Sequence, residues 1–174
     1  PSQVEKMSIE RGLNWEVSHL TVPSARLRDH WNNPDLKSIL ESETFDHVII
    51  QEHSTNILTG EDGNPEFYFG QITSLIPDST SIHFFSTWMY PSMEDLNINN
   101  EEYPIEESIK QIIDGTTTQI IPVGRAFKLF NDKHPQFKLL MEDDKHPNPN
   151  GSYLASCIIC LLYTSDAADE TCRV

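Results

Sequence analysis

Basic residues are scarce in this sequence. Its 174 residues include 12 Lys and Arg against 27 Asp and Glu, which gives a formal net charge of −15 at pH 7. Proteins that bind nucleic acid place clustered Lys and Arg along the phosphate backbone, so this balance excludes a nucleic-acid partner from the leading hypotheses. It also disfavours an acidic polymer as substrate, because like charges repel.

Long apolar runs are also missing. A membrane-spanning helix needs about 18 or more consecutive apolar residues, and no such run occurs. The first residues, PSQVEKMSIERG, lack the apolar core of a secretory signal. We therefore predict no membrane segment, and the residues assign no compartment. A composition of 37% hydrophobic and 22% charged residues is ordinary for one globular domain.

Cysteine is rare, with Cys157, Cys160 and Cys172 as its three occurrences. Cys157 and Cys160 have C-x-x-C spacing, but a zinc or redox motif needs more ligands or context than this pair provides. The segment that starts at Cys160, CLLYTSDAADE, is what one reading frame of a common transposase sequencing adapter encodes. We therefore expect residues 1–159 to form a partial native domain, residues 160–174 to be a non-native tail, and Cys157 to be a small buried helix residue.

Short apolar segments alternate with amphipathic ones along the chain. Strands are predicted at WEVSHLTV (15–22), DHVIIQ (46–51), SIHFFSTW (81–88) and TQIIPV (118–123). Helical patterns lie between and after them and begin near Pro34, Phe67, Pro104 and Gly124. This alternation predicts an α/β fold with a parallel sheet and helices on both faces, and the chemistry of such folds lies at the carboxyl ends of the strands.

One polar segment, LLMEDDKHPNPNGSYLAS (139–156), precedes the last helical pattern. Asp143 stands three residues before His146, a spacing at which a carboxylate can hold one imidazole nitrogen while the other acts as a general base. Pro147 disfavours helical backbone at His146. Asn148 and Pro149 provide an N-cap and a first-turn proline for the next helix.

Two other interpretations of this segment stay open. The residues EDDKH could form a solvated, charged turn before a helix cap, which the motif alone favours. Alternatively, Asp143, Asp144 and His146 could be hard metal ligands, although no second cluster has obvious ligand spacing.

The segment DDKHPNPNGSYLAS, preceded by PVGRAF, FFSTWMYP and FDHVIIQEHST, resembles the SGNH/GDSL hydrolase superfamily, in particular bacterial members with a GNS-type nucleophile motif. The resemblance implies a flavodoxin-like parallel sheet in a three-layer α/β/α sandwich. It also implies a serine esterase that forms an acyl-enzyme, needs no cofactor and acts on small-molecule or carbohydrate esters, such as acetyl esters. In that family the Asp and His of this block complete a Ser-His-Asp triad, which makes Asp143 the orienting acid and His146 the general base.

Other blocks depart from the family pattern. No G-D-S or G-N-S motif precedes Trp15, so we expect the first strand and its nucleophilic Ser to be missing and this chain alone to be inactive. Ser24 stands where the family has an oxyanion-hole glycine, and Gln51 stands in place of an Asn side-chain donor. Trp88 follows a predicted strand and could line a substrate pocket.

Other serines, Ser54, Ser86 and Ser152, are not expected in a strand–turn–helix elbow of the kind that exposes a nucleophile. The rival hypothesis is a non-catalytic flavodoxin-like domain that binds a small ligand around Ser24 and Gln51.

Overall fold

The structure is a computed structural model that describes residues 2–13, 15–61, 63–97 and 99–171, with side chains described as far as residue 161. The chain forms two compact units. One comprises Pro1–His19 and Ile121–Val174, and the other comprises Leu20–Ile120. Cys172 lies outside the described residues.

Eight α-helices, three strands and one 3₁₀ helix occur in the described ranges. In chain order they are α1 (Gln3–Glu10), α2 (Leu27–Trp31), α3 (Pro34–Ser42), β1 (His47–Ile50), α4 (Ser54–Thr59), α5 (Pro65–Thr73), β2 (Ser81–Phe85), the 3₁₀ helix (Pro91–Leu96), α6 (Pro104–Ile112), β3 (Gln119–Ile121), α7 (Val123–Lys133) and α8 (Pro149–Thr171). Within these ranges no helix combines the length and the apolar character needed to cross a bilayer.

The strands form one sheet in the order β1-β2-β3. β1 and β2 are parallel, with His47 opposite Ser81 and Ile50 opposite Phe84. Parallel neighbours require a crossover connection, which α4 and α5 provide between these two strands. The predicted α/β class and parallel sheet are confirmed.

The core of the 20–120 unit forms from the inward residues of these elements. Phe84 of β2 and Ile109 of α6 have no exposed surface, and Phe69 of α5 is 1% exposed. The Phe69 and Phe84 rings lie 5.6 Å apart between centroids, a separation typical of favourable aromatic pairs. This packing fixes the position of β1 and β2, whose carboxyl ends carry several of the candidate residues.

The predicted helices are present, and two of them begin at the predicted prolines. Pro34 is the first residue of α3, where the Asn33 side chain caps the helix by accepting a hydrogen bond from the Asp35 N–H at 3.0 Å. Pro104 likewise begins α6. α5 starts at Pro65 and α7 at Val123, slightly earlier than the apolar patterns indicate.

The strand predicted at residues 15–22 is wrong, because this segment has no regular secondary structure. Its backbone N–H groups find side-chain acceptors in place of a neighbouring strand: the Trp15 N–H donates to Ser8 Oγ at 3.1 Å and the Val17 N–H to Glu5 Oε1 at 3.3 Å. Alternating polarity alone therefore does not produce a strand, because a strand also needs a neighbouring strand to accept and donate its backbone hydrogen bonds.

α8 passes through the predicted boundary at residue 160 and continues to Thr171. Cys160 is fully buried, whereas Cys157 is only partly buried. The non-native origin of residues 160–174 stays a prediction.

Candidate active site

The segment that carries Asp143 and His146 is a short antiparallel loop. Leu140 pairs with Pro147 as an isolated antiparallel bridge, and the Met141 N–H donates to the His146 carbonyl at 2.8 Å. Asp144 turns the chain in left-handed backbone, with φ 51°. The loop therefore holds His146 in a defined backbone position.

Asn148 fastens this loop to the start of α8. Its Oδ1 accepts from the N–H groups of Asn150 at 2.9 Å and Gly151 at 3.0 Å, which confirms the predicted N-cap. Its Nδ2 donates to the carbonyls of Lys138 at 2.8 Å and Leu140 at 3.2 Å. One side chain thus satisfies two helix-end donors and two loop carbonyls.

Gly151 permits a close approach of α8 to the loop. A Cβ at this position would lie 2.2 Å from the Leu139 carbonyl oxygen and 3.2 Å from Phe127 Cζ. Only glycine fits here without displacing the backbone at the base of the loop.

Asp143 and His146 form the predicted hydrogen-bonded pair. His146 Nδ1 lies 2.6 Å from Asp143 Oδ2, while Asp143 Oδ1 accepts from the backbone N–H of His146 at 2.9 Å and of Lys145 at 3.0 Å. The hydrogen bond from the imidazole, assisted by the two backbone N–H groups, lowers the pKa of Asp143 to about 2. The carboxylate is therefore ionised at neutral pH, which places the proton of a neutral imidazole on Nδ1.

The other ring nitrogen of His146 faces a different environment. Within the part of the chain that the structure describes, Nε2 has no hydrogen-bond partner, and the His146 side chain is 65% exposed. With the proton on Nδ1, Nε2 carries the lone pair. It can accept a proton from a hydroxyl group that reaches it.

The metal interpretation lacks a ligand cluster. In residues 2–13, 15–61, 63–97 and 99–171, no group of three or more His, Cys, Asp or Glu side chains is placed to hold a metal ion. Both carboxylate oxygens of Asp143 already accept hydrogen bonds inside the loop.

Ser24 lies in the turn before α2, in the 20–120 unit. Its φ is 58°, in the left-handed region that favours glycine, and the residue is exposed. Its backbone N–H has no acceptor among the described residues, while the next N–H, of Ala25, donates to the Val22 carbonyl at 3.1 Å. Ser24 therefore has a backbone conformation that glycine adopts more readily, and glycine is the residue that the family pattern has at this place.

Gln51 follows β1 directly and is exposed. Its side-chain amide makes no hydrogen bond within the described part of the chain, so it can donate to an incoming group. Trp88 lies three residues beyond β2 and is partly buried.

Glu52, to which sequence reasoning assigns no role, is 1% exposed. Its Oε2 accepts from the Leu27 N–H at 3.2 Å and its Oε1 from the His53 N–H at 2.5 Å. Burial raises the pKa of Glu52, and the hydrogen bonds to His53, Leu27 and Asn56 oppose that rise. An acidic residue two positions after the apolar strand β1 was the only sequence signal, and it does not specify the partners that a buried carboxyl group requires.

Ser54 corrects one expectation, because it does lie between a strand and a helix. It is the first residue of α4, four residues after the end of β1, and its Oγ lies 3.2 Å from Tyr90 OH. His53, beside it, directs Nδ1 to Thr55 Oγ1 at 2.9 Å. The described contacts of Ser54 therefore include a phenol but no imidazole.

The structure brings Asp143 and His146 into direct contact. Ser24, Gln51 and Trp88 belong to the 20–120 unit, and Asp143 and His146 belong to the other unit. The catalytic and oxyanion-hole roles of these residues stay predictions.

Comparison with known proteins reveals a similarity in fold. No protein-family model matches the chain, and no curated protein matches it. Its structure is similar to that of a protein described as "a putative SGNH hydrolase from Slackia heliotrinireducens", with a TM-score of 0.73 and 22% sequence identity over 91% of this chain and 89% of that chain. The predicted resemblance is thus confirmed at the level of the fold: this chain has the α/β fold of an SGNH hydrolase.

Proposed function

We propose that this protein is a serine hydrolase of carboxylic esters in which His146 is the general base and Asp143 orients it. The observation that carries the proposal is the 2.6 Å contact between His146 Nδ1 and Asp143 Oδ2, which leaves Nε2 exposed and able to accept a proton. The likeness in fold to an SGNH hydrolase supports it.

The proposed reaction uses an acyl-enzyme. Nε2 of His146 takes the proton of a serine hydroxyl as that oxygen attacks the ester carbonyl, and the imidazolium is stabilised by the Asp143 carboxylate. The imidazolium then returns the proton to the leaving alcohol. Water attacks the acyl-enzyme in the same way, which regenerates the serine and releases the acid. We propose that the nucleophile is the serine of a G-[DN]-S motif that this sequence does not contain.

We assign stabilisation of the oxyanion to the Ser24 backbone N–H and the Gln51 side-chain amide. Each is exposed and lacks an acceptor among the described residues, which suits a donor that waits for substrate. We assign Trp88 to substrate binding, where an aromatic face would pack on a sugar or an acyl chain. Acetyl esters of carbohydrates are the proposed substrate class, and the chemistry requires neither a cofactor nor a metal.

Turnover of an aryl acetate at neutral pH, in the presence of a chelator, tests this proposal. The protein should be expressed from its full gene and compared with His146→Ala, which removes the base. We expect His146→Ala to lose at least about 1,000-fold in kcat, because triad members act as a unit. His19→Ala is the matched control, since His19 is exposed and outside the proposed site; it should retain full activity.

The acidic partner has its own matched pair. Asp143→Asn keeps the shape but removes the charge that orients the imidazole, and we expect a loss of about 100-fold or more. Asp144→Asn should be neutral, because Asn tolerates the left-handed backbone at that position. Equal kcat for wild type and His146→Ala would contradict the proposal. A folded full-length protein without turnover would favour the ligand-binding domain, and loss of activity in chelator alone would favour the metal interpretation.

A further inference from the structure

Glu52 is the most buried carboxyl group in the described part of the 20–120 unit, and it sits between two segments to which we assign oxyanion donors. It directly follows Gln51, and its Oε2 reaches 25 residues back along the chain to the Leu27 N–H at 3.2 Å. Leu27 is itself 2% exposed and lies three residues after Ser24. One carboxylate therefore ties the end of β1 to the start of α2.

The two carboxylate oxygens of Glu52 accept hydrogen bonds from different segments of the chain. Oε1 accepts from the His53 N–H, a local contact that shapes the turn into α4. Oε2 makes the long-range contact with the Leu27 N–H. The start of α2 is already capped locally, because Asp29 Oδ2 accepts a hydrogen bond from the Arg26 N–H at 2.9 Å. Glu52 is therefore not needed as the local cap of α2. Its contact with Leu27 acts between elements.

We propose that Glu52 is a positioning residue that holds the turn carrying Ser24 in register with the segment carrying Gln51. This inference rests on the proposed function, since it assigns Glu52 to the donors of that reaction. Oxyanion donors act at about 2.7–3.1 Å from the developing charge, so small displacements of either segment weaken catalysis. Ser24 depends on this support, because its left-handed backbone is stable only where the surroundings hold it.

Loss of the Glu52 carboxylate has a clear local consequence. The Leu27 N–H would be left buried without its acceptor, and relief of that cost requires the turn at residues 22–27 to move toward water. Glu52 does not contact the reacting atoms in the proposed reaction. Its removal should therefore lower kcat and leave substrate affinity nearly unchanged, as expected for an interaction felt mainly in the transition state.

The test compares Glu52→Ala and Glu52→Gln in the protein expressed from its full gene, with kcat and KM for an aryl acetate measured per folded molecule. We expect Glu52→Ala to lower kcat by about 10- to 100-fold with KM within about twofold. This loss is smaller than the roughly 100- to 1,000-fold loss caused by removing an oxyanion donor itself, because the donors are displaced and not removed. Glu52→Gln keeps one acceptor oxygen and should recover part of this loss, leaving kcat about three- to tenfold below wild type.

Glu106→Gln is the matched control, because Glu106 is another buried acid of the same unit, 3% exposed, on α6. It should keep wild-type kcat even where its melting temperature falls. The positioning role is overturned if Glu52→Gln keeps kcat within twofold of wild type. Where Glu52→Ala folds, it must show the same for this conclusion. The parent proposal is judged separately by His146→Ala: wild-type kcat in that variant rejects the hydrolase mechanism itself, whatever Glu52 does.

Discussion

Replacing Gly151 by alanine should destabilise the protein by driving a methyl group into the base of the loop that carries Asp143 and His146. The added Cβ would stand 2.2 Å from the Leu139 carbonyl oxygen, where contacts under 3.0 Å essentially never occur. The Leu139 backbone must therefore recede by about 0.8 Å or more. This oxygen accepts from the Asn148 N–H at 2.9 Å, so the displacement also strains the joint between loop and helix.

The expected change in the free energy of unfolding combines two destabilising contributions and one stabilising contribution. Overpacking of this kind costs about 1–3 kcal/mol, and loss of one backbone hydrogen bond costs about 1 kcal/mol. Alanine in place of glycine in a helix returns up to about 1 kcal/mol. The net expectation is a decrease of about 2 kcal/mol in the free energy of unfolding.

Gly70 provides the matched control. It lies within α5, and a Cβ there would meet nothing within 4 Å. Gly70→Ala should therefore raise the free energy of unfolding by about 0.5–1 kcal/mol. Urea denaturation at constant m-value measures both variants. Equal stabilisation by the two substitutions would refute the steric argument for Gly151.

The remaining predictions concern caps, backbone strain and charge. Asn148→Ala should lower the free energy of unfolding by about 2 kcal/mol, because it removes an N-cap and two hydrogen bonds to loop carbonyls; a change below 0.5 kcal/mol in urea denaturation would contradict this. Ser24→Gly should raise the free energy of unfolding by about 1 kcal/mol through relief of the left-handed strain, and a lower urea midpoint would count against it. The pKa of Asp143 is lowered to about 2, so its ionised form favours the folded state above the ordinary pKa near 3.8, and this contribution is lost as pH falls toward 2. The melting temperature of wild type should accordingly exceed that of Asp143→Asn at neutral pH and converge with it near pH 2; a constant difference across that range would be inconsistent with this linkage.

The sequence predicts best those features that depend on neighbours along the chain. The β-branched run at 46–51 contains β1, and the D-x-x-H spacing leads directly to the Asp143–His146 hydrogen bond. Asn148 and Pro149 likewise mark the start of α8, because capping is decided within one turn. Local chemistry was enough for each of these.

Features that depend on contacts between residues far apart in the chain could not be predicted from the sequence. The alternation at 15–22 could not reveal whether a partner strand would accept its hydrogen bonds. The need for glycine at Gly151 arises from the Leu139 carbonyl, which lies twelve residues earlier in the chain. The burial of Glu52 arises from a contact with Leu27, and no local pattern records that contact.

The central claim is that His146 activates a serine outside this sequence, and covalent labelling with a fluorophosphonate tests it most directly. The protein expressed from its full gene should be labelled at one serine, located by mass spectrometry of the digested protein. We predict that the label lies in a G-[DN]-S motif, that His146→Ala abolishes it, and that His19→Ala leaves it intact. A label on Ser54 or on another serine of this chain, or labelling that persists without His146, would contradict the account.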